Sequence, residues 1–418
     1  AQTPNAQRWQ SIIEGMQEKG LEVAVLTTKR RGYKSGSTLG NVTIYRAGYN
    51  TLKDWAYDFF RIKNRRNDAG NTFKKSHWIS LCTEKIVDLF WRKQYWPDGS
   101  KLFVKPGIRC GSQLLRKQQF THVISVGLPY SCHLIARKLK EMHPDLFWLM
   151  DIQDPFCYST EFWVNNAKNF KEKNIEEERL AFEKADAISL TNQTALDRYC
   201  ALFDHFTHKC QIIPPLLDPP QHLSIVPLNP KDRSYHILYA GSFYENVRTP
   251  MSFLKLIEHI NREDPSFINQ LHFHFVGQID RFTASWFEKY AHLNSLFTFH
   301  GFKAKNETFD LMYSADFLLN FGNSTDYHLP SKVVDYLYLN KSLINIIQRE
   351  DDSSKSFFGS RLDLINLELH DLAEDCRRLK SFIFQNRTPA SLNIEGTKDF
   401  TKHQITEEYL ALLNRPTS

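Results

Sequence analysis

The sequence predicts an α/β protein made of open parallel sheets and arranged in two halves. Short apolar segments alternate with amphipathic ones along both halves, the pattern of strands joined by helical crossovers. In the C-terminal half glycine follows a predicted strand four times, at Gly241, Gly277, Gly301 and Gly322. Between the halves, residues 214–234 carry Pro214-Pro215, Pro219-Pro220, Pro227 and Pro230, a stiff linker of the kind found at domain boundaries. At 418 residues the chain has room for two or three domains with separate cores.

The N-terminal half opens with Gln7-Arg8-Trp9 and an amphipathic run through Ile12, Ile13 and Met16 that stops at Gly20; residues 22–27 then read as a buried strand. A strand and a tight loop normally precede the first helix of an open parallel sheet, so the first strand is expected to be missing. Residues 42–46 form a further strand, after which the alternation breaks off. Residues 51–120 hold twelve aromatics and fifteen Lys/Arg against six Asp/Glu. One reading of this segment is a surface for anionic lipid headgroups, with aromatics at the interface and cations above it. Another is an inserted helical subdomain whose aromatics are core and whose charges are solvated. Single-stranded nucleic acid is the least favoured of the three. Trp96-Pro97-Asp98-Gly99 is a turn.

Alternation resumes with a strand over 121–126, followed by Gly127-Leu-Pro-Tyr130 and a helix over about 131–142. Another strand at 146–150 ends in Asp151-Ile-Gln-Asp154-Pro155. Two successive strand ends thus carry polar residues on the edge where open parallel sheets bind ligands. Tyr130, Ser131, His133 and Asp154 are therefore candidate site residues, although Asp154 before Pro155 equally makes a turn. A helix at 174–185, a strand at 186–190 and a helix capped by Thr191-Asn192 complete this half.

In the C-terminal half a strand over 235–240 runs into Gly241-Ser242, and Arg248 stands at the door of a helix with Pro250 near its start. The glycine lets backbone N–H groups approach a ligand, and an arginine at a helix start adds a two-pronged contact to phosphate. This outline is neither a P-loop nor a Gly-x-Gly-x-x-Gly fingerprint, since neither motif occurs. Strands follow at 271–276, 297–300 and 316–321, with helices through Trp286 and Tyr290 and near 306–314. In residues 326–340, Pro330 or Ser331 opens a helix buried through Val333, Val334 and Leu337, while Lys332 and Asp335 lie three apart and near one another on its surface. Such a helix start could hold an anionic group while the carboxylate accepts from a diol such as a ribose. The alternative is an amphipathic helix with two solvated charges. A strand at 342–347, a polar serine-rich loop at 351–360 and a final helix around 407–413 end the chain.

Seven scattered cysteines, none at metal-ligand spacing, point to reduced thiols in a cytosolic setting. No apolar run is long enough to span a bilayer and the N-terminus lacks signal-peptide order, so a cytoplasmic protein, attached at most to the periphery of a membrane, is expected. The net charge of +6 is uneven: residues 51–120 carry an excess of nine positive charges, and the rest of the chain is slightly acidic. Neither Gly-x-Ser-x-Gly nor His-Glu-x-x-His is present, which removes support for serine-hydrolase and zinc-hydrolase chemistry.

Taken in order, Ala6-Gln-Arg-Trp9 with Gly20-Leu-Glu-Val23, Trp96-Pro-Asp-Gly99, Gly127-Leu-Pro129, Asp151-Ile-Gln-Asp154-Pro155, Tyr239-Ala-Gly-Ser242 with Arg248, Phe275-Val-Gly277, His300-Gly301, Tyr313-Ser-Ala-Asp316 and Ser331-Lys-Val-Val-Asp-Tyr336 resemble glycosyltransferase family 4, retaining enzymes of the GT-B fold that use nucleotide sugars. The resemblance runs along most of the chain. It implies two Rossmann-like domains with parallel sheets facing across a cleft: an acceptor-side domain over 1–220 with the basic aromatic insert at about 51–118, a nucleotide-sugar domain over 221–398, and a C-terminal helix over 399–418 that crosses back. By position, Asp335 resembles the acid that takes the ribose hydroxyls, and Arg248 and Lys332 resemble the catalytic cations on the diphosphate. Gly241, Ser242, Gly277 and Ser331 complete the implied donor site, with Tyr130, Ser131, His133 and Asp154 on the acceptor side. No metal and no cofactor is implied beyond the donor itself, because fixed positive charge meets the diphosphate leaving group. Three features depart from the family pattern: the pair of acids, whose second member Asp335 is one methylene shorter, a histidine, and the glycine-rich first loop, which is missing along with the first strand. Tyr327 stands where the first acid of a Glu-x7-Glu pair would fall, with Asp326 and His328 as neighbours that would compensate, and Gly127 stands where many relatives carry histidine.

The expected activity is transfer of a sugar from a nucleotide diphosphate sugar to a glycan or lipid-linked acceptor, as in surface polysaccharide or glycoconjugate synthesis. Alternatives are a nucleotide-sugar epimerase or an inverting transferase on the same fold, since fold does not fix reaction, and a catalytically inactive transferase-like binding subunit. The lipid reading of residues 51–120 predicts co-sedimentation with anionic vesicles at low salt; protein that stays in the supernatant removes it.

Overall fold

The computed structural model describes residues 4–29, 36–51, 95–159, 165, 167–228, 235–245, 247–386 and 391–415; most of the basic aromatic segment, at 52–94, lies outside the described residues. The chain divides into two compact units, Ile12–Ile213 with Thr406–Ser418, and Ala1–Ser11 with Pro214–Ile405. Among the described residues no helix is long and apolar enough to cross a membrane.

The N-terminal unit holds two sheets. In one, β1 (Ala24–Lys29) runs parallel to β3 (Val42–Tyr49), and β2 (Gly36–Leu39) pairs antiparallel with β3. The other is all-parallel in the order β4-β5-β6-β7, over His122–Val126, Phe147–Asp151, Ala187–Leu190 and Cys210–Ile212. β2 and β7 have no counterpart in the sequence reading: at four and three residues, neither carries a burial pattern that separates it from a loop. The helix Ser131–Met142 begins without a cap of its own. Asp98 supplies one from the preceding turn: its carboxylate accepts from Ser131 N and Ser131 Oγ, both at 2.7 Å, and from Ser100 N at 2.8 Å. The Trp96-Pro97-Asp98-Gly99 turn is thus the N-terminal cap of a helix that starts 33 residues later. Asn192 caps Gln193–Leu202 by accepting from Ala195 N at 2.9 Å, as its position predicts.

The C-terminal unit is built on one parallel sheet in the order β10-β9-β8-β11-β12-β13. Its strands are β8 (Tyr235–Ala240), β9 (Leu271–Val276), β10 (Phe297–Gly301), β11 (Phe317–Phe321), β12 (Leu343–Ile346) and β13 (Leu364–Leu367). Successive residues face opposite cores, as the two-residue period of a strand requires. Ile237, Tyr239, Phe273, Phe275, Phe317 and Phe321 enter one, while Leu238, Ala240, Val276 and Leu318 enter the other. The strand order reverses between β8 and β11. Two expectations are corrected. Residues 351–360 contain a helix, Ser353–Phe358, because the Asp352 side chain accepts from Ser354 N and Lys355 N and so nucleates a turn inside a serine-rich stretch. The helix expected from Pro330 or Ser331 starts at Val333 and ends at Leu339, seven residues in all.

One face of this sheet carries a chain of histidines. His236 Nδ1 lies 2.9 Å from His274 Nε2, and His274 Nδ1 lies 3.0 Å from His300 Nε2. Each contact pairs an N–H with a bare nitrogen, so neutral rings satisfy the chain. Burial, reinforced by the neighbouring histidines, holds His274 down to about 3 and lowers His300 as well. The unfolded chain therefore takes up these protons first. The stability tied to His274 is complete above about pH 6.5 and is lost as pH falls toward its folded value, at up to about 1.4 kcal/mol per pH unit. The melting temperature should accordingly drop between pH 7 and pH 4, and His274→Gln should flatten that slope relative to wild type in calorimetry.

Candidate functional site

A reversal of strand order in an open parallel sheet leaves a crevice at the C-terminal ends of the two strands that flank it. Here those strands are β8 and β11, and residues 241–248 and 322–332 follow them. A Cβ on Gly277, whose φ is +148°, would lie 2.1 Å from Gly241 O, and a Cβ on Gly241 would lie 2.5 Å from the Tyr239 hydroxyl oxygen. Glycine at both positions lets the ends of β8 and β9 close together and leaves the tyrosine hydroxyl in place.

That hydroxyl donates to Ser242 O at 3.1 Å and accepts from Arg248 Nη1 at 3.2 Å. Arg248 Nε and Nη2 donate to the same atom, Asn323 Oδ1, at 3.1 and 2.7 Å. Asn323 Nδ2 in turn donates to His328 O at 2.8 Å, which pins the loop after β11. Among the described residues no carboxylate forms an ion pair with Arg248, which remains half-buried. Its charge is felt nearby. Burial first and Arg248 second hold His328 down to about 4, and at Asp352 Arg248 opposes the upward push of burial.

Tyr336 moors the short helix Val333–Leu339 to the same strands: its hydroxyl accepts from Ala240 N at 3.2 Å and donates to Leu319 O at 3.2 Å. Lys332 Nζ donates to Asp335 Oδ2 at 2.8 Å, so the proximity expected from their spacing is realised as an ion pair, the lysine one third exposed and the aspartate largely buried. Ser331 is exposed and provides no cap. With two turns of helix, positive potential here comes from Arg248 and Lys332 more than from aligned peptide dipoles. Tyr327 is buried with its ring 4.3 Å from that of His328, and Asp326 is buried beside them.

Gly277, Gln278 and Ile279 beyond β9, with Phe299, Gly301 and Phe302 at the end of β10, line a cavity of about 440 Å³. Phe299 and Phe302 are 43% and 65% exposed, high for phenylalanine. The sequence reading passed over both; the available signal was an aromatic on either side of the strand-end His300-Gly301.

In the N-terminal unit two of the four acceptor-side candidates serve the fold. Tyr130 is buried and stacked on Phe156 at 3.8 Å between centroids, its hydroxyl without a hydrogen bond among the described residues; both groups of Ser131 are spent on Asp98. His133 differs. Trp148 Nε1 donates to Ser125 Oγ at 2.8 Å, and Ser125 Oγ lies 2.7 Å from His133 Nδ1. Indole N–H can only donate, so the serine proton is free to go to Nδ1, an arrangement that leaves the imidazole proton on Nε2. A Cβ on Gly127 would lie 2.9 Å from that Nε2: the ring occupies space the glycine vacates. Burial holds His133 down to about 3, so it is neutral. Asp154 is half-buried just past β5, and desolvation pushes its carboxyl up to about 6. Asp151 beside it accepts from Ser189 Oγ at 2.6 Å and Tyr409 OH at 2.8 Å and so fastens the last helix. Among the described residues no group of three or more His, Cys, Asp or Glu side chains is arranged to hold a metal ion.

No family model and no curated protein matches this sequence. Solved structures do. Sucrose-phosphate synthase from Thermosynechococcus elongatus superposes with a TM-score of 0.64 at 12% identity, covering 98% of this chain and 92% of that one. A trehalose-6-phosphate structure from E. coli bound with UDP-2-fluoro glucose gives 0.64 at 10%, covering 100% and 97%. The lipopolysaccharide outer core galactosyltransferase WaaB gives 0.51 at 10%, covering 94% and 99%. At such identities the likeness speaks to architecture: the chain has the α/β, parallel-sheet fold of the GT-B glycosyltransferases.

Proposed function

We propose that this protein is a retaining, family 4-like glycosyltransferase that moves a sugar from a nucleotide diphosphate sugar to a glycan or lipid-linked acceptor. The observation that carries the reading is Arg248: a half-buried guanidinium without a carboxylate partner among the described residues, at the point where strand order reverses. In the leaving nucleoside diphosphate, charge develops on the phosphate oxygens, and cations fixed before the reaction stabilise that charge without reorganising. Arg248 and Lys332 take the diphosphate, and the carboxylate of Asp335 takes the ribose diol. The open depression lined by Phe299 and Phe302 beside Gly277 and Gly301 offers exposed aromatic rings on which a nucleobase would stack. The bound UDP sugar of the E. coli neighbour supports a nucleotide sugar as donor, and the lipopolysaccharide enzyme supports a lipid-linked acceptor. His133, neutral and protonated on Nε2, donates a hydrogen bond to the acceptor.

Thermal-shift screening against UDP, GDP, ADP, CMP and dTDP tests the reading, since a ligand that binds the native state alone raises its melting temperature. One nucleotide should stabilise the protein. Arg248→Ala and Asp335→Ala should each weaken its binding by about 10- to 100-fold, the equivalent of the roughly 1.5–3 kcal/mol that a hydrogen bond to a charged group contributes. Unchanged affinity in both would remove the site assignment.

One observation favours a second reading. An inverting transfer needs a base on the acceptor hydroxyl, and a carboxyl titrating at about 6 suits that task near neutrality. If inversion holds, the rate should rise with pH through about 6 as Asp154 ionises, Asp154→Asn should abolish the rise, and NMR of the product should give the inverted anomer. A retained anomer excludes it.

A further inference from the structure

The contact that holds Arg248 has the shape of a salt bridge without the charge of one. Nε and Nη2 close on a single oxygen, the fork usually presented to a carboxylate, yet that oxygen belongs to the amide of Asn323. The remaining nitrogen, Nη1, is met by the Tyr239 hydroxyl at 3.2 Å and, more distantly, by Ser242 O at 3.5 Å. All three acceptors are neutral. They fix the plane of the guanidinium while leaving its charge intact.

The asparagine is suited to both of its neighbours. Its oxygen faces a donor and its nitrogen faces an acceptor, the carbonyl of His328 at 2.8 Å. An aspartate would fit the same volume and bond Arg248 more strongly, but it would cancel the cation locally and turn an oxygen toward a carbonyl. Tyr239 is oriented in the same sense. Because its proton goes to Ser242 O, it offers Arg248 a lone pair, and Gly241 supplies the room for that hydroxyl.

We infer that Asn323 is a positioning residue that aims Arg248 through a neutral fork and thereby keeps the guanidinium charge available to the diphosphate of the donor. The inference rests on the assignment of Arg248 to the diphosphate given above. It makes charge at position 323 matter more than contact: adding a negative charge there should harm anion binding more than removing the side chain.

The test compares wild type, Asn323→Asp, Asn323→Ala and Arg248→Ala by titration calorimetry with UDP and, separately, with inorganic pyrophosphate, with melting temperatures to report folding. Asn323→Ala should lose affinity by about three- to tenfold through loss of aim, and Asn323→Asp by at least about tenfold more, close to Arg248→Ala, while remaining folded. The deficit of Asn323→Asp should exceed that of Asn323→Ala at low salt and shrink toward it as salt is raised, a signature that a purely structural role would not give. Equal losses in the two variants, or an Asn323→Asp protein that binds within about threefold of wild type, would overturn the inference. Should Asn323→Asp not fold, Asn323→Ala decides: a loss of about threefold or more supports the inference, whereas affinity unchanged from wild type overturns it. Failure of the functional reading looks different. Wild type that ignores UDP but binds pyrophosphate through Arg248 ends the nucleotide reading and leaves the comparison at position 323 valid, whereas binding of neither ligand ends both.

Discussion

A cation taken partly out of water without a counterion is expensive, and among the described residues much of the C-terminal unit is arranged around one such cation. Arg248 loses part of its hydration and regains it as hydrogen bonds donated to neutral oxygens, which compensate solvation without compensating charge. The arrangement reaches back into the sheet. Tyr239 can meet the guanidinium only because residue 241 has no side chain, and β8 and β9 end so close together only because residue 277 has none either. Tyr336 ties Ala240 on β8 to Leu319 on β11, so the two strands that flank the reversal and the helix that bears Asp335 share one hydroxyl.

Local features of the sequence foretold this unit well, and distant ones did not. The glycines at strand ends were legible because each follows a short apolar run, and the Lys332–Asp335 contact was legible because a spacing of three fixes a helical neighbour. Asn323 and Tyr239 carried no such mark. In sequence, Asn323 is a turn residue after glycine and Tyr239 is an aromatic in a buried strand; what gives them meaning is Arg248, 75 residues from one and nine from the other. The same limit explains Asp98, whose partner Ser131 lies 33 residues on. The helix Ser353–Phe358 was hidden differently. Its capping residue Asp352 sits in a run of serines and charges that reads as loop, and its apolar face is too short to show a period.

The N-terminal unit shows why polar residues at strand ends are ambiguous. Asp98, Asp151 and Ser131 all stand near the C-terminal edge of a parallel sheet, yet each is consumed by hydrogen bonds within the fold. A carboxylate that accepts several protein donors is a structural joint, and its remaining capacity to bind a substrate is small. Position on the sheet therefore selects candidates without ranking them. The ranking comes from what each group still has to offer: for His133 an N–H whose tautomer is set by Ser125 and Trp148, and for Asp154 a carboxyl whose proton is held to about pH 6.

Those two groups separate the chemical outcomes the fold leaves open. His133, held neutral with its proton on Nε2, can donate but has little tendency to take up a proton at neutral pH, so a mechanism that demands a base cannot lean on it. Asp154 is the group with a matched proton affinity. A transfer with retention makes its largest electrostatic demand at the departing diphosphate, the role proposed for Arg248; a transfer with inversion adds a demand at the incoming hydroxyl, where Asp154 would have to answer. Two glycines, the Tyr239 hydroxyl and an asparagine converge on the arginine, while desolvation raises the carboxyl of Asp154 to about 6. Preorganisation at a cation serves a departing diphosphate in either stereochemical course, so it is the proton affinity at the acceptor side that tells the two courses apart.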